Sequence, residues 1–356
     1  MADNPVGFGL LGAGLVAPFH GKALRASEKA QLVAVADLDE ARGGKFGGEF
    51  GCAVYRTLDE LLANPEVECV NVLTPNAYHF EAVVAAAVAG RHVLVEKPPA
   101  MSLRETDRMV ETCAQHGVRF GVVLQCRVRK PIQAIKQAIA AGRFGKLLMC
   151  STYMKWFRSE AYYFSDAWRS SRKSGAGVTI QHAFHYLDLC QYLMGPAKRV
   201  DARMENLAHP KVELEDTLLA RVDWANGALG VVDASTALWP GTDLRVEVSG
   251  EYGTAIMVGE RMDTWRFRDD RPEDDEIRQY GSASVGTAAT GPTDFAFFDH
   301  QVVIDDMADS IRHGHSPAIP ADTVRPTLEM ALGMYLSAKL GQPVELPLAS
   351  EDGIFS

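Results

Sequence analysis

Two side chains in this sequence of 356 residues have the chemistry to handle the proton of an alcohol. Lys97 stands in Glu96-Lys97-Pro98, where an apolar run ends, and His185 stands in a stretch from Gly175 to Gly195 that reads as a helix. Oxidising a secondary alcohol requires a group to take the hydroxyl proton while hydride leaves carbon. His185 titrates near neutral pH and can be that base, with Lys97 donating a hydrogen bond to the oxygen. Burial would lower the lysine's pKa and make it a competing base, so both assignments stand. Gln181 lies four residues before His185 and Asp188 three after it, so in a continuous helix the three share a face, with Gly195 as the stop. His182, His185 and Asp188 also have a spacing that a zinc ion could use. Hydride chemistry with a lysine needs no metal, so no metal is expected. The plainer alternative makes both histidines interior residues and Asp188 an anchor of the helix.

A hydride needs an acceptor, and the N-terminal segment has the pattern that holds one. Gly12-Ala13-Gly14-Leu15-Val16-Ala17 follows the apolar run Gly7–Leu11 directly, giving G-x-G-x-x-A between strand and helix. Gly12 permits the tight turn, Gly14 lets backbone approach a pyrophosphate, and the helix N-terminus beyond offers N–H donors and a partial positive charge. Asp37 closes the next strand, where a carboxylate would accept from adenosine ribose hydroxyls or, in the plainer alternative, cap the following helix. This favours NAD. A 2′-phosphate would meet Asp37 as a like charge, although Arg42 is near enough in sequence to compensate, which leaves NADP open. Two further strand ends, at Thr74-Pro75-Asn76 and Glu96-Lys97-Pro98, deliver polar groups to the same rim, where ligands of open α/β sheets bind.

The elements that position these residues alternate. Gly7–Leu11, Leu32–Ala36, Cys69–Leu73, His92–Val95 and Phe120–Val123 read as strands, and Tyr78–Ala89 and Leu103–His116 as crossover helices, which predicts a doubly wound parallel sheet over 1–124. From 125 to 356 the pattern changes. Leu218–Trp224, Gly230–Ala234 and Leu244–Ser249 alternate with period two, with Asn226-Gly227 as a hairpin turn, so a large, open, mainly antiparallel sheet in a C-terminal α+β domain is expected, with the whole chain of α/β class. Asp269 to Pro292, acidic and then rich in small residues, reads as a long mobile loop. Helical patterns near Phe295–Ile311 and Thr323–Leu340 should end on left-handed caps at Gly314 and Gly341.

Composition narrows the function classes. At 47% hydrophobic and 23% charged residues the chain is an ordered globular protein of two-domain length. Its net charge of −10, without a basic patch, argues against nucleic acid as a partner. No apolar run reaches membrane-span length, the first residues lack a basic leader, and six cysteines are scattered without a C-x-x-C pair, so a reducing, cytoplasmic setting is expected.

Taken together, these residues resemble the Gfo/Idh/MocA family of NAD(P)-dependent sugar and cyclitol oxidoreductases over nearly the whole chain. The motifs are the Gly12–Ala17 loop, Thr74-Pro75-Asn76 with His79, Glu96-Lys97-Pro98, Trp168-Arg169, the Gly175–Gly195 stretch and Leu214-Glu215-Asp216-Thr217 before Asn226-Gly227. The resemblance implies a Rossmann domain followed by a domain whose large open sheet is covered in a homodimer or homotetramer. It implies that Gly12, Gly14, Leu15, Val16, Asp37, Thr74, Asn76, His79, Glu96 and Lys97 line the cofactor. It makes Lys97 and His185 the catalytic pair and sets Arg158, Tyr163, Trp168, Arg169, Gln181 and His185 around a sugar-like substrate. Many relatives carry Asp or Asn at the position of Gln181. Glutamine cannot exchange a proton, so it would orient His185 or bind a substrate hydroxyl. A non-catalytic sugar sensor and an enzyme that uses NAD transiently to cleave a glycoside are the alternative functions on the same fold.

Overall fold

The computed structural model describes residues 4–172, 177–281, 289, 291 and 296–355. Its contacts divide the chain into two units, Met1–Gln125 with Ala296–Arg325, and Cys126–Phe295 with Pro326–Ser356.

In the first unit, β1 (Val6–Leu11), α1 (Ala17–Ala26), β2 (Ala30–Ala36), α2 (Glu40–Phe50), β3 (Ala53–Tyr55), α3 (Leu58–Ala63), β4 (Cys69–Val72), α4 (His79–Val88), β5 (His92–Glu96), α5 (Leu103–Gln115) and β6 (Phe120–Val123) follow in sequence. The sheet order is β3-β2-β1-β4-β5-β6 with every pair parallel, which is the doubly wound sheet expected. β4 and β6 are buried along their whole length and β5 on all but its first residue, as parallel strands with helices on both faces must be. Four consecutive strands, β2, β1, β4 and β5, therefore release the chain at one rim, at Asp37, Gly12, Leu73 and Lys97.

The second unit begins with α6 (Lys130–Ala140), β7 (Leu147–Lys155), α7 (Glu160–Phe164), α8 (Val178–Gln181) and α9 (Phe184–Met194). It continues through β8 (Ala197–Glu205), β9 (Thr217–Trp224), β10 (Leu229–Ser235), β11 (Arg245–Gly250), β12 (Gly253–Val258), β13 (Arg261–Phe267) and α10 (Asp274–Ile277). The chain then gives α11 (Phe298–His313) to the first unit, and α12 (Arg325–Leu340) and β14 (Val344–Glu345) follow. The second sheet runs β13-β12-β11-β7-β10-β9-β8-β14, antiparallel except for β7 with β10. Period-two burial along β9 leaves Leu218, Ala220, Val222 and Trp224 on the covered face, where α8 packs, while α9 packs on β7 and β11.

Two expectations need correction. The domain limit of 125–356 does not hold, because α11 packs on α1 and against β1, β2 and β6, burying Val303, Ile304 and Met307 in the first unit. The segment from Asp269 is not slack as far as it is described. Asp274, fully buried on α10, accepts from Arg143 Nη1 and Nη2 at 2.7 and 2.8 Å and from the Trp265 indole at 2.6 Å. A carboxylate with three such donors holds its backbone in place. Residues 282–288, 290 and 292 of that expected loop lie outside the described residues. The helix ends behave as the glycines predict: φ is 81° at Gly314 and 65° at Gly341. Among the described residues no helix is long and apolar enough to cross a membrane.

Candidate active site

The glycine loop after β1 is shaped for a close ligand. Gly12 has φ 105°, and a Cβ there would lie 2.9 Å from the Leu73 carbonyl oxygen, so the turn admits no other residue without movement. Gly14 is different, because a Cβ built on it meets nothing within 4 Å. No side chain caps the first turn of α1. Open room beside Gly14, an uncapped helix N-terminus, and partly exposed Leu15 and Val16 make the cradle a pyrophosphate needs. Gly14→Val should therefore leave the melting temperature unchanged and weaken NAD binding about tenfold or more, measured by titration calorimetry beside thermal unfolding.

Asp37 fastens this loop. Its Oδ2 accepts from Ala13 N at 2.7 Å and its Oδ1 from Asp39 N at 2.8 Å. The cap of α2 is Asp39, which accepts from Ala41 N and Arg42 N, so the helix-capping alternative for Asp37 falls. Arg42 Nε lies 3.8 Å from Asp37 Oδ1 and 3.4 Å from Asp39 Oδ2, close enough to contact a group bound at that strand end.

Beneath the exits of β4 and β5 lies a buried polar cluster that sequence spacing did not reveal. Asn71 on β4 donates from Nδ2 to His20 Nδ1 at 2.8 Å, and His20 Nε2 donates to Glu96 Oε1 at 2.9 Å. Glu96 Oε2 accepts from the Lys97 amide at 3.2 Å. Burial works against the Glu96 carboxylate, but the His20 hydrogen bond and the electrostatic pull of the surrounding His20, His300 and Lys97 side chains outweigh it and bring its pKa down to about 2. Ligating atoms of His20, Glu96 and His300 lie within 4.8 Å of one another, so α11 reaches this cluster through His300. Glu96 is thus occupied in holding the Lys97 backbone. His79, fully buried, bridges the two exits through Nδ1 to Pro98 O and Nε2 to Thr74 O, both at 2.8 Å, and burial pushes its pKa down. A neutral ring donates to one of these carbonyls at a time. Asn76 is buried, Thr74 and Lys97 are half-buried, and Thr74 Oγ1 is buried with no partner among the described residues.

In the second unit the expected continuous helix is interrupted. α8 ends at Gln181 and α9 starts at Phe184, with Ala183 N bonding to Val178 O at 2.8 Å, five residues back. That wide turn breaks the register, so Gln181 and His185 do not share one helix face as expected. α8 itself starts on a buried carboxylate. Glu215 Oε1 accepts from Thr179 N at 2.9 Å and from the Tyr335 hydroxyl at 2.8 Å. A Cβ at Gly177 would lie 2.2 Å from Glu215 Oε2, so only glycine fits there. Burial pushes the Glu215 pKa up while these donors pull it back. Gly175 and Ala176, the first residues of the expected helix, lie outside the described residues.

Asp188 is the anchor of α9 and no partner in proton transfer. It is fully buried and accepts from Arg127 Nε and Nη2 at 2.6 Å each and from Thr327 Oγ1 at 2.9 Å. Gln181 and His185 remain half-buried, whereas His182 is buried.

The aromatic and arginine residues form one cluster within this unit. His182 faces Trp156, Tyr162 and Tyr163 with ring centroids 6.4, 5.7 and 6.5 Å away. The Arg158 guanidinium stacks on Trp156 and Tyr162, and that of Arg169 on Tyr162 and Trp168. Tyr163, expected near the sugar, is 1% exposed and its hydroxyl is bonded to Thr236 Oγ1 at 2.7 Å, with burial pushing its pKa up, so it supports the cluster from behind. His209 bonds the Asp216 carboxylate through Nδ1 at 2.9 Å and the Arg158 carbonyl through Nε2 at 2.8 Å, tying the Leu214–Thr217 motif to the Arg158 backbone. Burial opposes the Asp216 charge, but His209 and the amides of Leu207 and Ala208 hold its pKa below the ordinary value.

This fold and rim define an NAD-binding oxidoreductase, and comparison with known proteins agrees. The model of the oxidoreductase family with an NAD-binding Rossmann fold, Gfo/Idh/MocA, matches residues 6–124, and that of the Gfo/Idh/MocA C-terminal domain matches residues 132–256. The chain belongs to the Gfo/Idh/MocA oxidoreductase family. It is 30% identical over 284 residues to the 2,7-anhydro-N-acetylneuraminate hydratase of Mediterraneibacter gnavus, covering 76% of this chain and 75% of the relative. It is 26% identical to the scyllo-inositol 2-dehydrogenase (NAD(+)) of Bacillus subtilis over 97% of both. Among solved structures, the WlbA dehydrogenase from Bordetella pertussis in complex with NADH and UDP-GlcNAcA superposes with a TM-score of 0.86 at 29% identity, over 97% of this chain and 99% of that one.

Proposed function

We propose that the protein passes hydride between NAD(H) and a secondary hydroxyl, or the matching ketone, of a sugar, sugar derivative or cyclitol. The observation that carries this reading is the single rim at which β2, β1, β4 and β5 end, bearing Asp37, the Gly12–Val16 loop, Thr74 and Lys97. When bound, NAD supplies the hydride acceptor, or in its reduced form the donor. Asp37 holds the loop through Ala13 and has lone pairs left for ribose hydroxyls. Lys97, its backbone fixed by Glu96, donates a hydrogen bond to the substrate oxygen, and His185 on α9 takes the hydroxyl proton, with the reverse division of labour between the two as the competing version. Gln181 orients the histidine or the sugar. The test is formation of reduced nicotinamide with a panel of sugars, cyclitols, glycosides and nucleotide sugars. Turnover of one class supports the reading, and no turnover in either direction with any of them rejects it.

The hydratase among the relatives favours a second reading, in which the same lysine and histidine serve a transient oxidation that is reversed before release. Product analysis separates the two: a keto-sugar and stoichiometric reduced cofactor belong to the first, a hydrated or cleaved sugar without net cofactor change to the second.

The second unit also supports self-association. Met149, Leu219, Leu229 and Val231 are 48, 51, 51 and 38% exposed on the outward face of the adjacent strands β7, β9 and β10, beside the pairs Lys155–Asp233 and Arg221–Asp223. An apolar patch of this kind on a sheet is covered in a homodimer or homotetramer. Leu229→Glu should shift the light-scattering mass toward that of one chain, and a wild-type mass of one chain would reject this assembly.

A further inference from the structure

We propose that Glu213, Glu215 and Asp216, at the entry to β9, are positioning residues for the substrate: they hold the three backbone stretches that carry the aromatic and arginine cluster. This rests on the sugar oxidoreductase reading above and deepens it.

Three acids stand within Glu213-Leu214-Glu215-Asp216, and each turns to a different neighbour. Glu213 takes the chain just after Trp168 and Arg169. Its Oε2 accepts from Arg172 N at 2.5 Å, its carbonyl accepts from Arg172 Nη2 at 2.8 Å, and its own N–H donates to Ser170 O at 3.1 Å. Glu215 takes α8. Its carbonyl accepts from Val178 N at 2.8 Å and its Oε1 from Thr179 N at 2.9 Å. No side chain at the N-cap serves that helix, so Glu215 supplies acceptors to two consecutive N–H groups of its first turn. Asp216 takes the loop that precedes it, accepting from the amides of Leu207, Ala208 and His209 at 3.0, 2.7 and 3.1 Å. His209, bonded to the same carboxylate, carries the hold onward to the Arg158 carbonyl. Burial works against a charge on His209, but its bonds to Asp216 and to that carbonyl outweigh it and raise its pKa, which favours a ring with a proton on both nitrogens. Asn206 Nδ2, 2.7, 2.9 and 3.1 Å from the carbonyls of His209, Val212 and Leu214, closes the loop on itself.

The held stretches bear Trp156 and Arg158, Trp168 and Arg169, and Gln181 and His182. A single turn such as α8 is not stable alone, so the places of Gln181 and His182 depend on the acceptors that Glu215 brings. The reacting groups are held by other means. Asp188 anchors α9, which carries His185, to Arg127, and Lys97 and the glycine loop belong to the first unit. Loss of the Glu215 hold therefore weakens contacts made equally in the ground state and the transition state, which raises KM and leaves kcat in place.

The test is hydrogen exchange followed by mass spectrometry on the NADH-loaded full chain, beside steady-state kinetics with the sugar of the panel that turns over. Glu215→Ala should lower amide protection in 178–183 about tenfold and raise KM about tenfold, with kcat within about threefold and NAD affinity unchanged. Glu215→Gln keeps an oxygen in the place of Oε1, which accepts from both Thr179 and Tyr335, and should restore protection and KM. Gly177→Ala sets a Cβ 2.2 and 2.4 Å from the two carboxylate oxygens and should copy Glu215→Ala with the acid still present. Glu213→Ala should loosen 170–172 and leave 178–183 protected. Unchanged protection in 178–183 after Glu215→Ala, or a loss shared equally by β8, β9 and β10, would overturn the proposal, and so would a fall in kcat at constant KM. Local loss of protection in a protein that turns over no sugar sinks the redox reading and not the hold on α8. Turnover with a KM indifferent to Glu215→Ala does the reverse.

Discussion

Lys97→Met is expected to lower kcat by roughly 10²–10⁴-fold while NAD affinity stays nearly unchanged. The two effects separate because different atoms produce them. The backbone N–H of Lys97 is bonded to Glu96, so methionine keeps that hold on the strand exit with a side chain of similar volume. The cofactor cradle belongs to the Gly12–Val16 loop and Asp37, which the substitution does not touch. What is lost is the hydrogen bond to the reacting oxygen and the charge that steadies it. Stopped-flow turnover beside fluorescence titration with NAD checks this. A loss of NAD affinity as large as the loss of kcat would make the lysine a binding residue and return the proton chemistry to other groups.

Asp188→Asn is expected to destabilise the second unit by about 3–5 kcal/mol, because it replaces the carboxylate that faces buried, charged Arg127 with a neutral amide. Asp188 receives two bonds of 2.6 Å from Arg127 and a third from Thr327, joining α9 to the segment before α6 and to α12. Exchanging both partners, Asp188→Leu with Arg127→Met, should recover most of that stability, since an apolar pair of similar volume carries no unpaired charge. Urea denaturation of the three forms measures it. A cost near zero for the single change would mean that the pair does not anchor α9, and His185, three residues before Asp188, would need another support.

Much of this architecture was legible in the sequence, and what escaped notice did so for identifiable reasons. Continuous apolar runs marked β1, β2, β4, β5 and β6, and the residues where they stop marked the rim. α2 is implied after Asp37 without bounds, since four glycines in Glu40–Phe50 argue against a helix. Packing overrides that preference: a Cβ on Gly47 would lie 2.2 Å from Val54 Cγ2, so the glycines let β3 sit close. The short strand β3 was hidden by its partly exposed residues. The late helix that packs on α1 and the first sheet, α11, looks in sequence like any amphipathic helix, and nothing in its period names the sheet it joins.

The candidate site divides the same way. Lys97, the glycine loop and Asp37 are visible because a strand and a turn fix their places locally. The start of α8 is held by Glu215, and Asp188 by Arg127, 61 residues away. Such partners have no spacing to recognise. The His20–Glu96–His300 cluster is likewise assembled from three separate elements. Tyr162, on which both arginines stack, was passed over for its neighbour Tyr163, since adjacent tyrosines on a short helix give no sign of which one turns inward.

The most direct measurement follows a label. The sugar from the panel that turns over is prepared with deuterium on its carbinol carbons and mixed with enzyme and NAD for a single turnover, and the nicotinamide is analysed by mass spectrometry. One deuterium carried on the reduced ring is the predicted result. Reduced cofactor without the label, or a tightly bound sugar that never yields reduced cofactor, would contradict hydride transfer from a sugar carbon as the reaction of this protein.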